Sequence, residues 1–376
     1  MDIGIPRETR GGERRVALTP SGVKTLVHQG HRVWVETGAG VAAGHADSDY
    51  ESAGATIAFN RIEPFARGSL IACVYAPEPR EYTLLQPGQV VLGFWALPAA
   101  RPDDLRALLG TGSTAIGLEA IEDEQGRAPV LTSMSEIAGG LAVIVGAGLL
   151  LSEFGGKGIL LGGAPGVPPA HLVILGAGVL GRSAARAALG AGARVTLLDN
   201  SVARLREAVR DVGGSATTML ATPPNVSKAL SFADLVLGAV AVHGQRAPVL
   251  VTREMLRSMK PRSVVMDLSI DMGGCFETSR PTRFAGGAYE VDGILHFCVP
   301  NLTAAAARST TLALTNAVLP YLLETADRGL EGASRSRADL RRGVYLHRGR
   351  CARESLAGAF GLEWVPFTGE EREAPP

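Results

Sequence analysis

Cysteine is scarce here and never closely spaced: Cys73, Cys275, Cys298 and Cys351 stand far apart among 376 residues. That excludes a thiolate metal knuckle and a disulfide framework, and no metal site is predicted. Net charge is absent as well, with 37 basic against 37 acidic side chains, so nothing electrostatic recruits nucleic acid or an anionic membrane. Long apolar runs are also missing. The longest, Ile137 to Leu151, is rich in glycine and falls short of the ~18 residues a spanning helix needs; it reads as a buried helix. The opening Met1-Asp2-Ile3-Gly4-Ile5-Pro6 reads as a short strand without a signal-peptide pattern, and the expected location is the cytoplasm. No internal repeat or low-complexity tract stands out.

What is present is a globular composition, 46% hydrophobic and 20% charged, in a chain long enough for two domains with cores of their own. Apolar runs at Asp2–Pro6, Arg32–Glu36, Ser69–Tyr75, Val90–Phe94 and Ala115–Leu118 alternate with helical patterns at Pro20–Gln29, Asp47–Ala53 and Pro102–Leu109. Repeated βα units imply a parallel sheet with helices on both faces. A long buried helix is expected over Ser135–Glu153, strands at Leu235–Ala239, Ser263–Leu268 and Ile294–Val299, and a second long helix over Ala304–Asp327. The tail from Gly329 reads as Arg-rich helices. The predicted fold class is α/β: two doubly wound Rossmann-like domains with a cleft between them, joined by long helices. A discontinuous substrate domain is expected at 1–130 plus 308–376, and a dinucleotide-binding domain at 131–307.

The sharpest local signal is Gly176-Ala177-Gly178-Val179-Leu180-Gly181. It follows the apolar run His171 to Leu175, opens a helical segment from Arg182 to Ala191, and is followed by a second strand, Val195 to Leu198, that ends on Asp199 about 20 residues on. In a dinucleotide fold Gly176 permits the tight turn, Gly178 lets the backbone approach a pyrophosphate, and Gly181 lets helix and strand pack closely. The helix start at Val179 and Leu180 offers N–H groups and a positive dipole end to phosphate. Asp199 can accept hydrogen bonds from the adenosine ribose, and its charge favours NAD over NADP; Arg204, close by in sequence, blurs that preference. Val240 and Leu268, at the ends of later strands, complete the cofactor-binding set read from this unit.

Longer motifs resemble a family. Gly4-Ile5-Pro6-Arg7-Glu8 followed by Glu13-Arg14-Arg15-Val16-Ala17-Leu18-Thr19-Pro20, then Met134-Ser135-Glu136-Ile137-Ala138-Gly139, Gly162-Gly163-Ala164-Pro165-Gly166-Val167 and Asp271-Met272-Gly273-Gly274-Cys275-Phe276-Glu277, resemble the alanine dehydrogenases. The N-terminal part of proton-translocating transhydrogenase opens similarly. The resemblance covers nearly the whole chain. It implies NAD-linked interconversion of a 2-oxo acid plus ammonia with an L-amino acid, in a homo-oligomer, hexamer or dimer. It also implies that Arg15 clamps the substrate carboxylate, that Asp271 lies beside the nicotinamide ribose and substrate, and that Ser135 and Asn301 line the cofactor cleft.

The sequence departs from that family at two positions. Alanine dehydrogenases carry a lysine in the strand around Cys73-Val74-Tyr75-Ala76-Pro77 and a histidine around Phe94-Trp95-Ala96-Leu97; an ungapped alignment places Tyr75 and Ala96 there. By the resemblance, the lysine holds the substrate's oxygen or carboxylate and the histidine moves protons. Tyrosine is a poor shuttle at its reference pKa of about 10, and alanine is none, though it leaves room for a larger substrate. His243, after the strand from Leu235, and Tyr75 are therefore the candidates for proton transfer, with His296 a weaker one; each histidine also reads as a loop or core residue. The expected activity is an NAD-dependent oxidoreductase acting on an amino, imino or 2-oxo acid other than ordinary alanine. A protein that binds NAD without turnover, or an enzyme that recycles NAD within one turnover as a cyclising deaminase does, remain alternatives.

Overall fold

Ile3 and Ile5 are fully buried, and the segment that carries them, β1 (Asp2–Ile5), lies inside a sheet. The computed structural model describes residues 1–240 and 246–370. The chain divides into two units, Met1–Met134 with Ala306–Pro376, and Ser135–Ala305. In the first unit β1 is followed by β2 (Arg32–Glu36), β3 (Thr56–Ala58), β4 (Leu70–Tyr75), β5 (Val90–Phe94) and β6 (Thr114–Gly117). β1 pairs in parallel with β2 on one side and β4 on the other, Ile3 facing Val33 and Leu70. The chain therefore builds outward to β3, returns to the centre, and builds outward again to β6. Strands covered on both faces read as continuous apolar runs, and the first five residues of Leu-Ile-Ala-Cys-Val-Tyr in β4 are buried.

The second unit repeats this plan. Its strands are β7 (His171–Leu175), β8 (Arg194–Asp199), β9 (Thr217–Leu220), β10 (Leu235–Gly238), β11 (Val264–Asp267), β12 (Tyr289–Val291) and β13 (Ile294–Phe297). They lie in the order β12-β13-β11-β10-β7-β8-β9, all parallel except β12, which runs antiparallel to β13. The helix Val179–Gly190 buries Ala184, Ala185 and Ala188, small residues that bring it close to the sheet. The expected strand to Ala239 stops at Gly238.

The helix expected over Ser135–Glu153 runs instead over Pro129–Leu149, with proline at the start, where its missing N–H costs nothing. It is long and apolar enough to cross a membrane by length and composition. Within the second unit, glycines pack it. A Cβ on Gly139 would stand 2.5 Å from the Leu180 carbonyl oxygen, and one on Gly146 2.6 Å from Leu235. The expectation of a wholly buried helix is corrected, because Ile144 is 71% exposed.

The chain completes the first unit with the helix Ala307–Ser336, kinked at Gly329. Its buried Thr311 and Thr315 hydroxyls accept hydrogen bonds from the Val16 and Thr19 amides at 3.2 and 2.9 Å. Beyond it come β14 (Val344–His347) and β15 (Arg350–Cys351), so the tail is not helical throughout as expected. β14 adds antiparallel to β6, giving the order β15-β14-β6-β5-β4-β1-β2-β3. The hairpin turns at Arg348-Gly349, both at positive φ (46° and 76°), the backbone a two-residue hairpin loop needs.

Candidate functional site

The two sheets share a feature that locates ligands. In each the strand order reverses once, between β1 and β4 and between β7 and β10, and open α/β sheets take ligands outside the carboxyl ends of the strands at that point. At the β7 edge the three glycines have separate duties. A Cβ on Gly176, whose φ is 108°, would lie 2.3 Å from the Ala239 carbonyl oxygen, and one on Gly181 would lie 1.9 Å from that of Gly176. Neither position admits a side chain. A Cβ on Gly178 would meet nothing within 4 Å, so the backbone there faces open space, as close approach by a pyrophosphate requires. Val179, Leu180 and Gly181 precede the first helical hydrogen bond, Arg182 N–H to Gly178 O (3.0 Å), and their N–H groups have no acceptor within the helix.

Asp199 ends β8 and is 5% exposed. Its Oδ2 accepts from the Ala177 amide and its Oδ1 from the Ser201 amide, each at 2.8 Å. The carboxylate is thereby fixed under the glycine turn, and each oxygen keeps a lone pair for a further donor. Arg204 is exposed on the following helix. Val240 is half-buried and donates its N–H to Ser269 Oγ (3.0 Å), and half-buried Leu268 donates to the Gly238 carbonyl (2.9 Å). Half-buried Ser135 lies on the helix Pro129–Leu149. These residues fit a dinucleotide.

Asp271 is exposed in a single turn, Ile270–Met272. Its Oδ2 accepts from the Asn301 amide at 3.4 Å, which joins two residues named from sequence. Asp267, fully buried at the end of β11, sets the loop that presents Asp271. It accepts hydrogen bonds from the amides of Ser269 (3.0 Å) and Cys275 (2.8 Å) and from Ser279 Oγ (2.6 Å). Burial, reinforced by this carboxylate, pushes the Cys275 thiol well above its usual range. Sequence reasoning missed Asp267; its only signal was an acid closing an apolar strand four residues before Asp271.

At the β1–β4 edge Arg15 is 3% exposed. Its Nε and Nη2 donate to Glu13 Oε1 and Oε2, each at 2.7 Å, and its Nη1 lies 3.7 Å from Met134 Sδ. Burial works against the charge on Arg15, but the hydrogen bonds and field of Glu13 outweigh it and hold the guanidinium above its ordinary pKa. Tyr75 ends β4, hydrogen-bonds Arg15, and has the guanidinium carbons of Arg10 and Arg15 at 4.2 and 5.3 Å from its ring centre. Glu8 lies behind it, accepting from the Val74 amide (2.7 Å) and the Tyr75 amide (3.2 Å). Burial pushes the Glu8 carboxyl up to about 7; the Val74 amide opposes the rise and Glu13 adds to it.

Ala96 follows β5 next to Tyr75; Phe94 pairs with Tyr75, and the Ala76 amide donates to the Phe94 carbonyl (3.0 Å). Ala96 is exposed and left-handed, φ 49° and ψ 34°. Its amide donates to Glu119 Oε1 at 2.8 Å, and the Trp95 amide donates to the same carboxylate at 3.2 Å. Glu119, pushed up by burial, also hydrogen-bonds Tyr345. Trp95 is 6% exposed and donates Nε1–H to the Val91 carbonyl (3.4 Å), which makes it a core residue. Glu8, Glu13 and Glu119 were not singled out from sequence, where nothing separates a buried acid from a surface one.

Of the candidate histidines, His243 lies outside the described residues. His296 is fully buried in β13, hydrogen-bonded to Thr278 and the Ile294 carbonyl, and stacked on Tyr289; it is a core histidine. Among the described residues no group of acids, histidines and cysteines is placed to hold a metal ion.

Two family descriptions match the sequence: Alanine dehydrogenase/PNT, N-terminal domain, over residues 4–138, and Alanine dehydrogenase/PNT, C-terminal domain, over residues 142–354. The alanine dehydrogenase of Halomonas elongata is 44% identical over 365 residues, 97% of this chain and 98% of that one. A solved L-alanine dehydrogenase superposes with a TM-score of 0.90 at 40% identity, covering 96% of this chain and 99% of its own. A transhydrogenase structure from Sinorhizobium meliloti gives 0.78 at 28% identity, covering 94% and 100%. On these matches across both units, the chain belongs to the alanine dehydrogenase/PNT family.

Proposed function

We propose that this chain is an NAD-dependent oxidoreductase acting on the CH–NH2 or C=N group of an amino, imino or 2-oxo acid. The observation that carries the reading is the paired placement. The glycine turn after β7 and Val240 after β10 flank the strand reversal of one sheet, with Asp199 and Leu268 at the carboxyl ends of the next strands out, and Arg15 and Tyr75 stand at the reversal of the other. When bound, NAD supplies the hydride acceptor or donor. The N–H groups at Gly178 to Gly181 hold its phosphates, Asp199 its adenosine ribose, and Asp271, Asn301 and Ser135 the nicotinamide side. Arg15 binds the substrate carboxylate by charge-assisted hydrogen bonds.

The same reading sets ordinary alanine aside. Tyr75 stands where relatives are expected to carry a lysine, and Ala96, exposed and without a titratable group, stands where they are expected to carry a histidine. Tyr75 is supported as a proton donor by its place beside Arg15; His243 is the second candidate. The active form is taken to be a cytoplasmic homo-oligomer, hexamer or dimer, which light scattering measures directly. An absorbance assay for NADH consumption across 2-oxo acids, with ammonia and with primary amines, tests the activity. Ala96 also favours one competing reading, a protein that binds NAD without turnover. NAD binding in calorimetry with no NADH change on any acid would establish it, and product formation with no net NADH would point to cofactor recycled within one turnover.

A further inference from the structure

The guanidiniums around the carboxyl end of β1 and β4 are not equivalent. Glu13 holds Arg15 at 2.7 Å, Glu81 holds Arg61 at 2.5 Å, and Glu36 lies 3.9 Å from Arg7. Arg10 differs from all three. It is exposed, and among the described residues its guanidinium has no carboxylate and no hydrogen-bond acceptor. What fixes it is the Tyr75 ring, 4.2 Å away. Stacking uses the face of a guanidinium and leaves the N–H groups around its edge free to donate in the fork geometry that suits a carboxylate.

Charge balance gives this position a purpose. Arg15 is paired with a buried carboxylate inside the protein, so the Arg15–Glu13 unit offers little net positive charge to an incoming anion. Arg10 adds one uncompensated cation beside it. Both guanidinium carbons lie within cation–π range of the one Tyr75 ring, at 4.2 and 5.3 Å from its centre, so two cations serve one short stretch of the strand end. Ala96, at the end of the neighbouring strand, is exposed and carries nothing beyond Cβ, which leaves room for a substrate side chain longer than a methyl group.

We propose that the substrate is a dicarboxylic amino, imino or 2-oxo acid, its α-carboxylate bound by Arg15 and its second carboxylate bound by Arg10. This rests on the oxidoreductase reading above. Arg10 is a specificity-determining residue in it, and the lone guanidinium stacked on Tyr75 is its recognition element.

The test compares 2-oxoglutarate and oxaloacetate with pyruvate and 2-oxobutyrate in the NADH assay, using the full chain, Arg10→Met and Arg10→Lys. The wild-type protein should prefer the dicarboxylates. Removing a charge-assisted pair costs roughly ten- to a hundredfold in binding, so in Arg10→Met the dicarboxylate-to-monocarboxylate ratio of kcat/KM should fall by that factor through KM, and Arg10→Lys should recover part of it. An equal loss on both acid classes means that Arg10 only props Tyr75, and it overturns the proposal. Turnover of monocarboxylates without any wild-type preference also overturns it and leaves the oxidoreductase reading standing. Calorimetry with succinate and butyrate, which do not react, separates the two ideas. Succinate preference lost in Arg10→Met, in a protein that oxidises no NADH, keeps the anion site and removes the reading; equal binding with no turnover removes both.

Discussion

Glu13 grips Arg15 through both Nε and Nη2 at 2.7 Å, two residues apart in sequence and both almost wholly buried. The short spacing makes the loop after β1 fold around its own ion pair, and the guanidinium is aimed before any ligand arrives. Breaking one half of a buried pair leaves an uncompensated charge, which costs about 3–5 kcal/mol. Glu13→Ala should therefore lose stability on that scale in urea unfolding, while Glu13→Ala with Arg15→Met should lose less than the sum of the two. Strict additivity in that cycle would show that the pair is not coupled.

The three glycines of the turn should fail differently. Gly181→Ala places a methyl 1.9 Å from the Gly176 carbonyl oxygen and should destabilise the protein by about 1–3 kcal/mol through overpacking. Gly178→Ala meets no protein atom within 4 Å and should melt like wild type yet bind NAD more weakly. Thermal scans with and without NAD separate the two, and a melting loss in Gly178→Ala would contradict the open-space reading.

Glu8 gives stability a pH dependence of definite sign. Burial pushes its carboxyl up to about 7 in the folded protein, from an ordinary value near 4.5. As pH rises from 4.5 to 7 the unfolded chain loses this proton first, so it binds fewer protons than the folded one and stability falls. The loss reaches roughly 3 kcal/mol above pH 7. Glu8→Gln has no such proton, and its unfolding free energy should lack this slope between pH 4.5 and 7; an unchanged slope would assign the effect elsewhere.

Tyr75→Lys with Ala96→His should raise NADH-linked alanine turnover above the wild-type level. Ala96 sits at φ 49°, a region in which histidine is several-fold enriched, so the backbone already suits the incoming side chain. Ala96→Gly is the matching stability test and should gain about 1 kcal/mol by relieving the left-handed strain. No gain of alanine turnover in the double variant would count against the placement of this site.

Asp267→Asn should loosen the loop that presents Asp271 while the β11 strand persists. The expected signature is faster amide exchange over 269–279 with a rise in KM for NAD; unchanged exchange would show that the carboxylate does not set the loop.

Much of the architecture is legible in local pattern. The run His171 to Leu175, three glycines and a terminal acid are sufficient for β7, its helix and β8, because each residue does its job within one βαβ unit. The tail hairpin is not legible in the sequence because Arg348 takes a left-handed turn beside Gly349 with no signal stronger than a single glycine. Ile144 shows the limit of reading burial from apolarity, since an apolar helix need not cover every face. The half-buried acids Glu8, Glu13 and Glu119 and the buried Asp267 are invisible for a related reason: their partners are backbone amides or neighbours whose burial is decided by distant strands.

The bonds from Val16 and Thr19 to Thr311 and Thr315 span 295 and 296 residues of chain. At a synthesis rate of about 5–20 residues per second, the Arg15 loop leaves the ribosome roughly 15–60 s before its anchors exist. The glycine-turn unit is contiguous in sequence and can complete itself in that interval. During synthesis the glycine-turn unit thus takes shape before the Arg15 loop is anchored, and the nascent chain at that stage carries a first segment that still waits for the hydroxyls of Thr311 and Thr315.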